Sequence, residues 1–116
     1  MGLRIGVIGT GKLGREHVRV LGRLKEVEYL ACYDLDVERA RRIAGEFNAH
    51  AFSDMNLLLS EVDAVSIVVP SSKHAEVALA AFDAQKDVFL EKPIASDIPS
   101  AEQIVASAKK SGRILQ

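Results

Sequence analysis

Residues 3–14 read LRIGVIGTGKLG, and this stretch decides the fold. An apolar run over 3–8 passes directly into a loop with glycines at positions 9, 11 and 14, and the loop opens an amphipathic segment. A strand, a tight glycine turn and a helix in immediate succession are typical of folds that bind a dinucleotide pyrophosphate. The spacing therefore predicts such a turn at the start of an α/β domain.

Each glycine of this loop has a separate physical role. Gly9 permits the tight turn, Gly11 lets a pyrophosphate approach the backbone, and Gly14 allows the helix to pack closely on the strand. The free amides at the helix N-terminus are then available to an anion. Taken alone, the glycine pattern also fits a turn with incidental glycines, so a second observation is needed.

Asp34 supplies that second observation. It follows the apolar run 27–33 and lies 20 residues after Gly14, where a carboxylate accepts hydrogen bonds from the adenosine ribose. A carboxylate there repels a 2′-phosphate, and the next residue, Leu35, cannot bind one, so NAD is favoured over NADP. Asp34 could instead serve only as a turn or cap residue. Three arginines follow it in sequence, Arg39, Arg41 and Arg42, and most of them are expected on a solvated helix face.

Short apolar runs alternate with longer amphipathic segments along the whole chain. Strands are predicted at 3–8, 27–33, 63–69, 87–90 and 113–115, and a weaker one at 49–52. Four helices are predicted, at 13–24, 36–47, 54–61 and 73–85. A fifth helix is predicted to begin after a cap at Ser96 or Asp97 and to end at Gly112. This alternation predicts an α/β fold, a doubly wound parallel sheet of Rossmann type in a three-layer α/β/α arrangement, with strand order 3-2-1-4-5-6.

Length and composition bound the function. The 116 residues make one domain, 1–116, and 15 basic against 16 acidic residues leave a net charge of -1, which argues against binding nucleic acid or a membrane surface. A single cysteine, Cys32, excludes an internal disulfide and fits a reducing compartment. The longest strongly apolar stretch, 64–69, is too short to span a bilayer, and no secretory signal is visible, so a cytoplasmic location is expected.

A second group of polar residues follows two later strands. Pro70, Ser71 and His74 come after one strand, and Glu91 and Lys92 follow the next. The carboxyl ends of parallel strands form the edge where doubly wound folds bind ligands. A lysine at that edge could move a proton to or from a substrate hydroxyl, although the residues alone equally allow a surface lysine paired with Glu91.

Together these stretches resemble a known family. VIGTGKLGREH at 7–17, Asp34, DAVSIVVPSSKHAEVALAAF at 63–82 and EKPIAS at 91–96 are similar to the glucose-fructose oxidoreductase, inositol dehydrogenase and rhizopine-catabolism family. The resemblance implies an NAD-binding domain of an oxidoreductase that acts on a secondary hydroxyl of a sugar, cyclitol or nucleotide-sugar. It also implies a C-terminal substrate domain, absent from this chain, through which the parent protein forms a homo-oligomer.

The resemblance further implies a role for each site residue. The pyrophosphate would be held by the turn, which comprises Gly9, Thr10, Gly11, Lys12, Leu13 and Gly14, and the adenosine ribose by Asp34. Pro70, Ser71 and His74 would lie along the nicotinamide half, Glu91 and Lys92 would bracket the nicotinamide ribose, and Lys92 would also be the catalytic proton carrier. The family often has Thr-Pro-Asn where this chain has Val69-Pro70-Ser71, which removes a side-chain contact or two.

Several alternatives stay open at this point. A dinucleotide-sensing regulator or a scaffold of the same fold would share the turn, although neither needs a base such as Lys92. His17 falls on the apolar face of its helix and is expected to be a packed core residue, while His74 could be structural or ligand-facing. His50 and Cys32 have no spacing that suggests a metal site, so no metal is predicted.

Overall fold

The computed structural model describes residues 2–116. Strands and helices alternate along the chain in the order β1 (Leu3–Ile8), α1 (Lys12–Leu21), β2 (Val27–Tyr33), α2 (Val37–Phe47), β3 (His50–Phe52), α3 (Met55–Glu61), β4 (Ala64–Ile67), α4 (His74–Asp83), β5 (Asp87–Leu90) and α5 (Ile98–Ser111). A single 3₁₀ turn, Ser71–Lys73, leads into α4. The predicted alternation is confirmed, including the weakly signalled strand β3.

The five strands form one parallel sheet in the order β3-β2-β1-β4-β5. The chain steps outward from β1 through β2 to β3 and then returns to the other side of β1 with β4. This reversal leaves a crevice at the carboxyl edge between β1 and β4, which is where ligands bind in open α/β sheets.

Side chains of successive strand residues point to opposite faces of the sheet, and each face has its own core. Val7 belongs to the cluster formed with α1 and α2, which contains Val18 and Ile43. The next residue, Ile8, belongs to the cluster formed with α3, α4 and α5. Both faces are therefore covered by helices, which confirms the three-layer arrangement and explains why the strands read as almost continuously apolar.

Aspartates define three of the helix starts. The Asp36 carboxylate accepts from the Arg39 backbone N–H, and the Asp54 carboxylate accepts from those of Asn56 and Leu57. Asp97, rather than Ser96, caps α5 by accepting from the Ser100 N–H. Side-chain caps satisfy backbone donors that the helix itself leaves unpaired.

The sixth strand is the main departure from the predicted topology. Within 113–115 only Leu115 forms a bridge, in parallel with Val88. The Val88 N–H donates to the Ile114 carbonyl, and the Asp87 carboxylate accepts from Arg113 and from the Ile114 N–H. The Gln116 N–H also donates to the Val88 carbonyl, and the Leu90 N–H donates to the Gln116 carbonyl. The segment therefore lies parallel to β5 in the predicted sixth position, without forming a regular strand.

None of the helices within residues 2–116 is both long enough and apolar enough to cross a membrane.

The buried thiol of Cys32 provides a test of the packing between β2 and α2. The pKa of Cys32 is raised to about 11, mainly by burial and to a smaller extent by the negative charge of Asp34. Because the thiolate is the reactive form, we expect a thiol reagent to label native protein only as fast as the protein unfolds, and denatured protein at once. Rapid labelling of Cys32 with unchanged far-UV circular dichroism would show that this face of the sheet is open.

Candidate dinucleotide site

One cavity of about 800 Å³ lies at the carboxyl edge of the sheet. It brings together residues that are far apart in sequence: Gly9, Gly11, Lys12, Leu13, Gly14, Asp34, Pro70, Ser71, His74, Glu91 and Lys92 all line it. Thr10 lies behind the wall, where it is buried against Asp34. The candidate residues therefore share one place in the fold.

Two of the glycines are required by the protein itself. Gly9 has φ +102°, and a Cβ there would collide with the carbonyl oxygen of Val68. A Cβ on Gly14 would collide with the carbonyl oxygen of Gly9. Residues with side chains rarely adopt this φ, and neither position has space for one. These glycines let α1 begin almost where β1 ends.

Gly11 differs, because the protein does not require a glycine there. Its backbone, with φ -67° and ψ -166°, is open to any residue, and a Cβ would meet no atom within 4 Å. No side chain in residues 2–116 caps the N-terminus of α1, which begins at Lys12. A bare backbone, free helix amides and open space fit a pyrophosphate group.

The Asp34 carboxylate anchors the adjacent corner of the cavity. Its Oδ2 accepts from the backbone N–H of Thr10 at 2.7 Å and from the Thr10 hydroxyl at 2.9 Å. Its Oδ1 accepts from the Asp36 N–H at 2.8 Å. Asp34 is thus a buried turn residue as well as a lining residue, so the two alternatives considered from the sequence are compatible.

Asp34 also forms a salt bridge with Arg39, one of the three arginines that were expected mostly in solvent. Arg39 turns back from the first turn of α2, and its Nη2 donates to Asp34 Oδ2 at 2.8 Å. Arg41 and Arg42 are exposed, as expected for the outer face of the helix. Burial by itself would raise the pKa of Asp34, but the hydrogen bonds from Thr10, Arg39 and Asp36 outweigh it and hold the pKa below its ordinary value.

His74 is structural in its visible contacts. It is 1% exposed, and its ring nitrogens lie 3.0 Å from the Val69 carbonyl oxygen and 3.2 Å from that of Ile94. A neutral imidazole has one N–H and can donate to only one of these acceptors. His74 therefore holds the loop after β4 against the loop after β5, and it forms part of the cavity wall between them.

His17 and Glu91 form a contact that the sequence did not reveal. The His17 Nε2 lies 3.0 Å from the Glu91 carboxylate, and its Nδ1 lies 2.6 Å from the Ser66 hydroxyl. A carboxylate only accepts, so Nε2 carries the proton and the Ser66 hydroxyl donates to Nδ1. His17 lies on the apolar face of α1 as expected, but it also ties α1 to β4 and to the loop after β5.

Lys92 is exposed at the mouth of the cavity, and the Lys92–Pro93 peptide bond is cis. Across residues 2–116 the Glu91 carboxylate is hydrogen-bonded by His17, and its salt-bridge partner is not Lys92. The lysine ammonium is therefore available to a ligand in the cavity. No cluster of three or more metal-ligating side chains occurs in the described part of the chain.

The sheet topology, the open glycine turn and the Asp34 corner define this chain as a Rossmann-type dinucleotide-binding domain. A family described as an oxidoreductase family with an NAD-binding Rossmann fold matches residues 3–116. The chain belongs to this glucose-fructose oxidoreductase and inositol dehydrogenase family.

Two curated relatives show the range of the family. The chain is 37% identical over 113 residues to UDP-N-acetylglucosamine 3-dehydrogenase of Acidithiobacillus ferrooxidans, covering 97% of this chain and 36% of that protein. It is 39% identical over 118 residues to inositol 2-dehydrogenase 3 of Saccharopolyspora erythraea, covering 99% of this chain and 35% of that protein. The chain therefore spans about a third of the length of these relatives.

Solved structures show the same fold. The Acidithiobacillus ferrooxidans enzyme superposes with a TM-score of 0.90 at 35% identity, covering 99% of this chain and 37% of that one. A 3-ketoreductase from Actinomadura kijaniata, in complex with TDP-benzene and NADP, superposes with a TM-score of 0.90 at 31% identity, covering 99% of this chain and 36% of that one.

Substitutions at Gly11 and Gly14 should separate binding from folding. Gly11→Ala should weaken NADH binding by at least about tenfold, because the methyl group enters the space that the pyrophosphate needs, while unfolding free energy changes by about 1 kcal/mol or less. Gly14→Ala should cost about 1–3 kcal/mol of stability, because its methyl group has no space inside the protein. Titration by NADH fluorescence and urea unfolding of both variants test this, and unchanged NADH affinity in Gly11→Ala would remove Gly11 from the site.

The lowered pKa of Asp34 predicts a direction for acid sensitivity. A carboxyl group whose pKa is lowered by folding stabilises the native state above its ordinary pKa, and that stabilisation is lost as the pH falls through the folded value. Asp34→Asn should therefore be less stable than the natural chain at neutral pH, and the difference should shrink in strong acid. Urea unfolding of both proteins at neutral and acidic pH measures the difference; a gap that widens in acid would contradict the assignment.

Proposed function

We propose that this chain is the NAD-binding part of an oxidoreductase that interconverts a secondary hydroxyl and a carbonyl on a sugar, cyclitol or nucleotide-sugar. The observation that carries the proposal is that the glycine turn open at Gly11, the Asp34 carboxylate and the exposed Lys92 border one cavity. The dehydrogenases to which the chain is similar support the reaction class.

The binding roles follow from the contacts of the turn. The amides at the start of α1 would hold the pyrophosphate, with Gly11 beneath it and Lys12 at the rim. Asp34 would accept from the adenosine ribose. The opposite wall, formed by Pro70, Ser71 and His74, would flank the nicotinamide half.

The reaction would take place near the loop after β5. When bound, NAD accepts a hydride from the carbinol carbon or, in its reduced form, returns one. Lys92 would exchange the hydroxyl proton, since its exposed ammonium borders the cavity and Glu91 is engaged by His17. A positioned acid–base group typically contributes about 10²–10⁴-fold to such a reaction.

Substrate binding would depend on residues outside 1–116. The relatives are about three times as long, and the cavity on this chain is bordered by the residues proposed to hold the dinucleotide. We further propose that the whole protein is cytoplasmic and homo-oligomeric through its substrate domain, and that it binds neither nucleic acid nor membrane. The near-zero net charge of -1 and the lone buried cysteine support the location and the absence of polyanionic partners.

Isolated residues 1–116 should bind the cofactor without turning over substrate. We expect saturable NADH binding by fluorescence, and no measurable reduction of NAD with polyols or sugars, because positioning of the carbinol against its reaction partners is missing. Failure to bind NADH would contradict the proposed function. Robust turnover would show that the substrate site lies within these residues.

A further inference from the structure

A chain of two hydrogen bonds connects β4 and α1 to the wall of the dinucleotide cavity. Glu91 borders that cavity, whereas His17 and Ser66 border a second, smaller one of about 460 Å³ beside α1. The Ser66 hydroxyl donates to His17 Nδ1 at 2.6 Å, and His17 Nε2 donates to the Glu91 carboxylate at 3.0 Å. His17 therefore reaches the dinucleotide cavity through Glu91.

The His17 ring is held in one orientation. A neutral imidazole has one donor and one acceptor, and here each nitrogen has one partner. The ring also packs edge-on against Phe89, with centroids 6.0 Å apart. Ser66 is 5% exposed, and the side chains of His17 and Glu91 are 18% and 25% exposed. Because water has little access to these groups, a released partner would not easily be replaced by solvent.

The loop after β5 depends on this contact for its position relative to α1. The Glu91 backbone N–H donates to the Ile67 carbonyl at 3.3 Å, which is long for a backbone hydrogen bond and ties the loop to β4 only. The shorter bond from His17 ties the same residue to α1. The N-terminus of α1 is the proposed pyrophosphate site, so His17 joins that site to the loop that carries Lys92.

The order of the strands shows which end of the cavity this loop occupies. Asp34 follows β2 and Glu91 follows β5, and β1 and β4 lie between them. Three strand spacings separate the two residues along the edge by about 14 Å. With the pyrophosphate at the turn after β1 and the adenosine ribose at Asp34, the nicotinamide half extends toward Glu91 and Lys92.

We propose that His17 is a positioning residue, which holds the Glu91–Lys92 loop in place at the nicotinamide end of the cavity. The inference deepens the proposed function and rests on it. Among the described residues, the cavity lining includes Glu91 and not His17, so His17 acts on a ligand through Glu91. Its bond also engages the Glu91 carboxylate, which leaves the neighbouring Lys92 ammonium to the ligand.

Paired titrations of NADH and ADP test the proposal. NADH spans both ends of the cavity, whereas ADP has only the adenosine ribose and the pyrophosphate. His17→Phe keeps a ring beside Phe89 and removes both hydrogen bonds. We expect NADH, followed by fluorescence, to bind at least about fivefold more weakly, and ADP, followed by calorimetry, to change by less than about twofold. An equal loss for both ligands would show that His17 only supports α1, and the proposal would fall.

Two further variants separate hydrogen bonding from packing. His17→Gln retains one N–H donor and one acceptor, so it should recover most of the NADH affinity that His17→Phe loses. Recovery no better than in His17→Phe would contradict the role of the hydrogen bonds. His50→Phe is the matched control, because it removes an exposed imidazole at the start of β3, away from the carboxyl edge. Its affinities for both ligands should stay unchanged.

Imidazole nitrogen chemical shifts give a direct signature of the contact. At mildly basic pH we expect His17 to carry its proton on Nε2, and Ser66→Ala to increase the share of the Nδ1–H form, because the donor to Nδ1 is gone. A natural chain in which His17 is protonated on Nδ1 alone would contradict the proposed chain of hydrogen bonds.

The remaining outcomes are distinct. A His17→Phe variant that binds NADH as tightly as the natural chain overturns the role of His17 and leaves the proposed function standing. A natural chain that binds neither NADH nor ADP overturns both. If His17→Phe fails to fold, His17→Leu replaces it with the same expected results, since leucine is a strong helix former without polar side-chain atoms.

Discussion

The close approach of Gly14 to the carbonyl oxygen of Gly9 is the contact on which the rest of this structure depends. Because neither residue has a side chain, α1 can start after a loop of only three residues and lie directly across the strand. Its N-terminal amides then point at the crevice created where the sheet order reverses between β1 and β4. A side chain at either position would push the helix away from the strand and close the anion site.

Asp34 links this turn to the next layer of the fold. One carboxylate accepts from the β1–α1 loop, from the start of α2 and from an arginine within α2. A ligand that bonds to Asp34 would therefore contact a carboxylate that also holds these parts of the native structure together. The acid stability of the chain and ligand binding at this corner thus depend on the same group.

Much of this could be predicted from sequence because the signals are local. Apolar runs, aspartate caps and the glycine turn each lie within a few residues, and they identified five strands, five helices and the edge of the sheet where candidate residues meet. Contacts between side chains that are far apart in sequence were harder to predict. Arg39 reads as one of three arginines on a helix face, and only its position five residues after Asp34 could have suggested the contact. His17 and Glu91 lie 74 residues apart, so no local pattern joins them. The segment 113–115 was predicted as a strand; it lies beside β5 through backbone hydrogen bonds but forms only one bridge, at Leu115.

The central claim is that a dinucleotide binds at the turn between β1 and α1, across the carboxyl edge of the sheet. Backbone amide chemical shifts of the 116-residue chain, recorded by NMR with and without NADH, test it most directly. The account predicts that the largest changes fall on Gly11 to Gly14 and around Asp34, with smaller ones near Pro70 and Lys92. Saturable changes confined to another surface, such as the exposed side of β5 around Phe89 and Ile114, would contradict it.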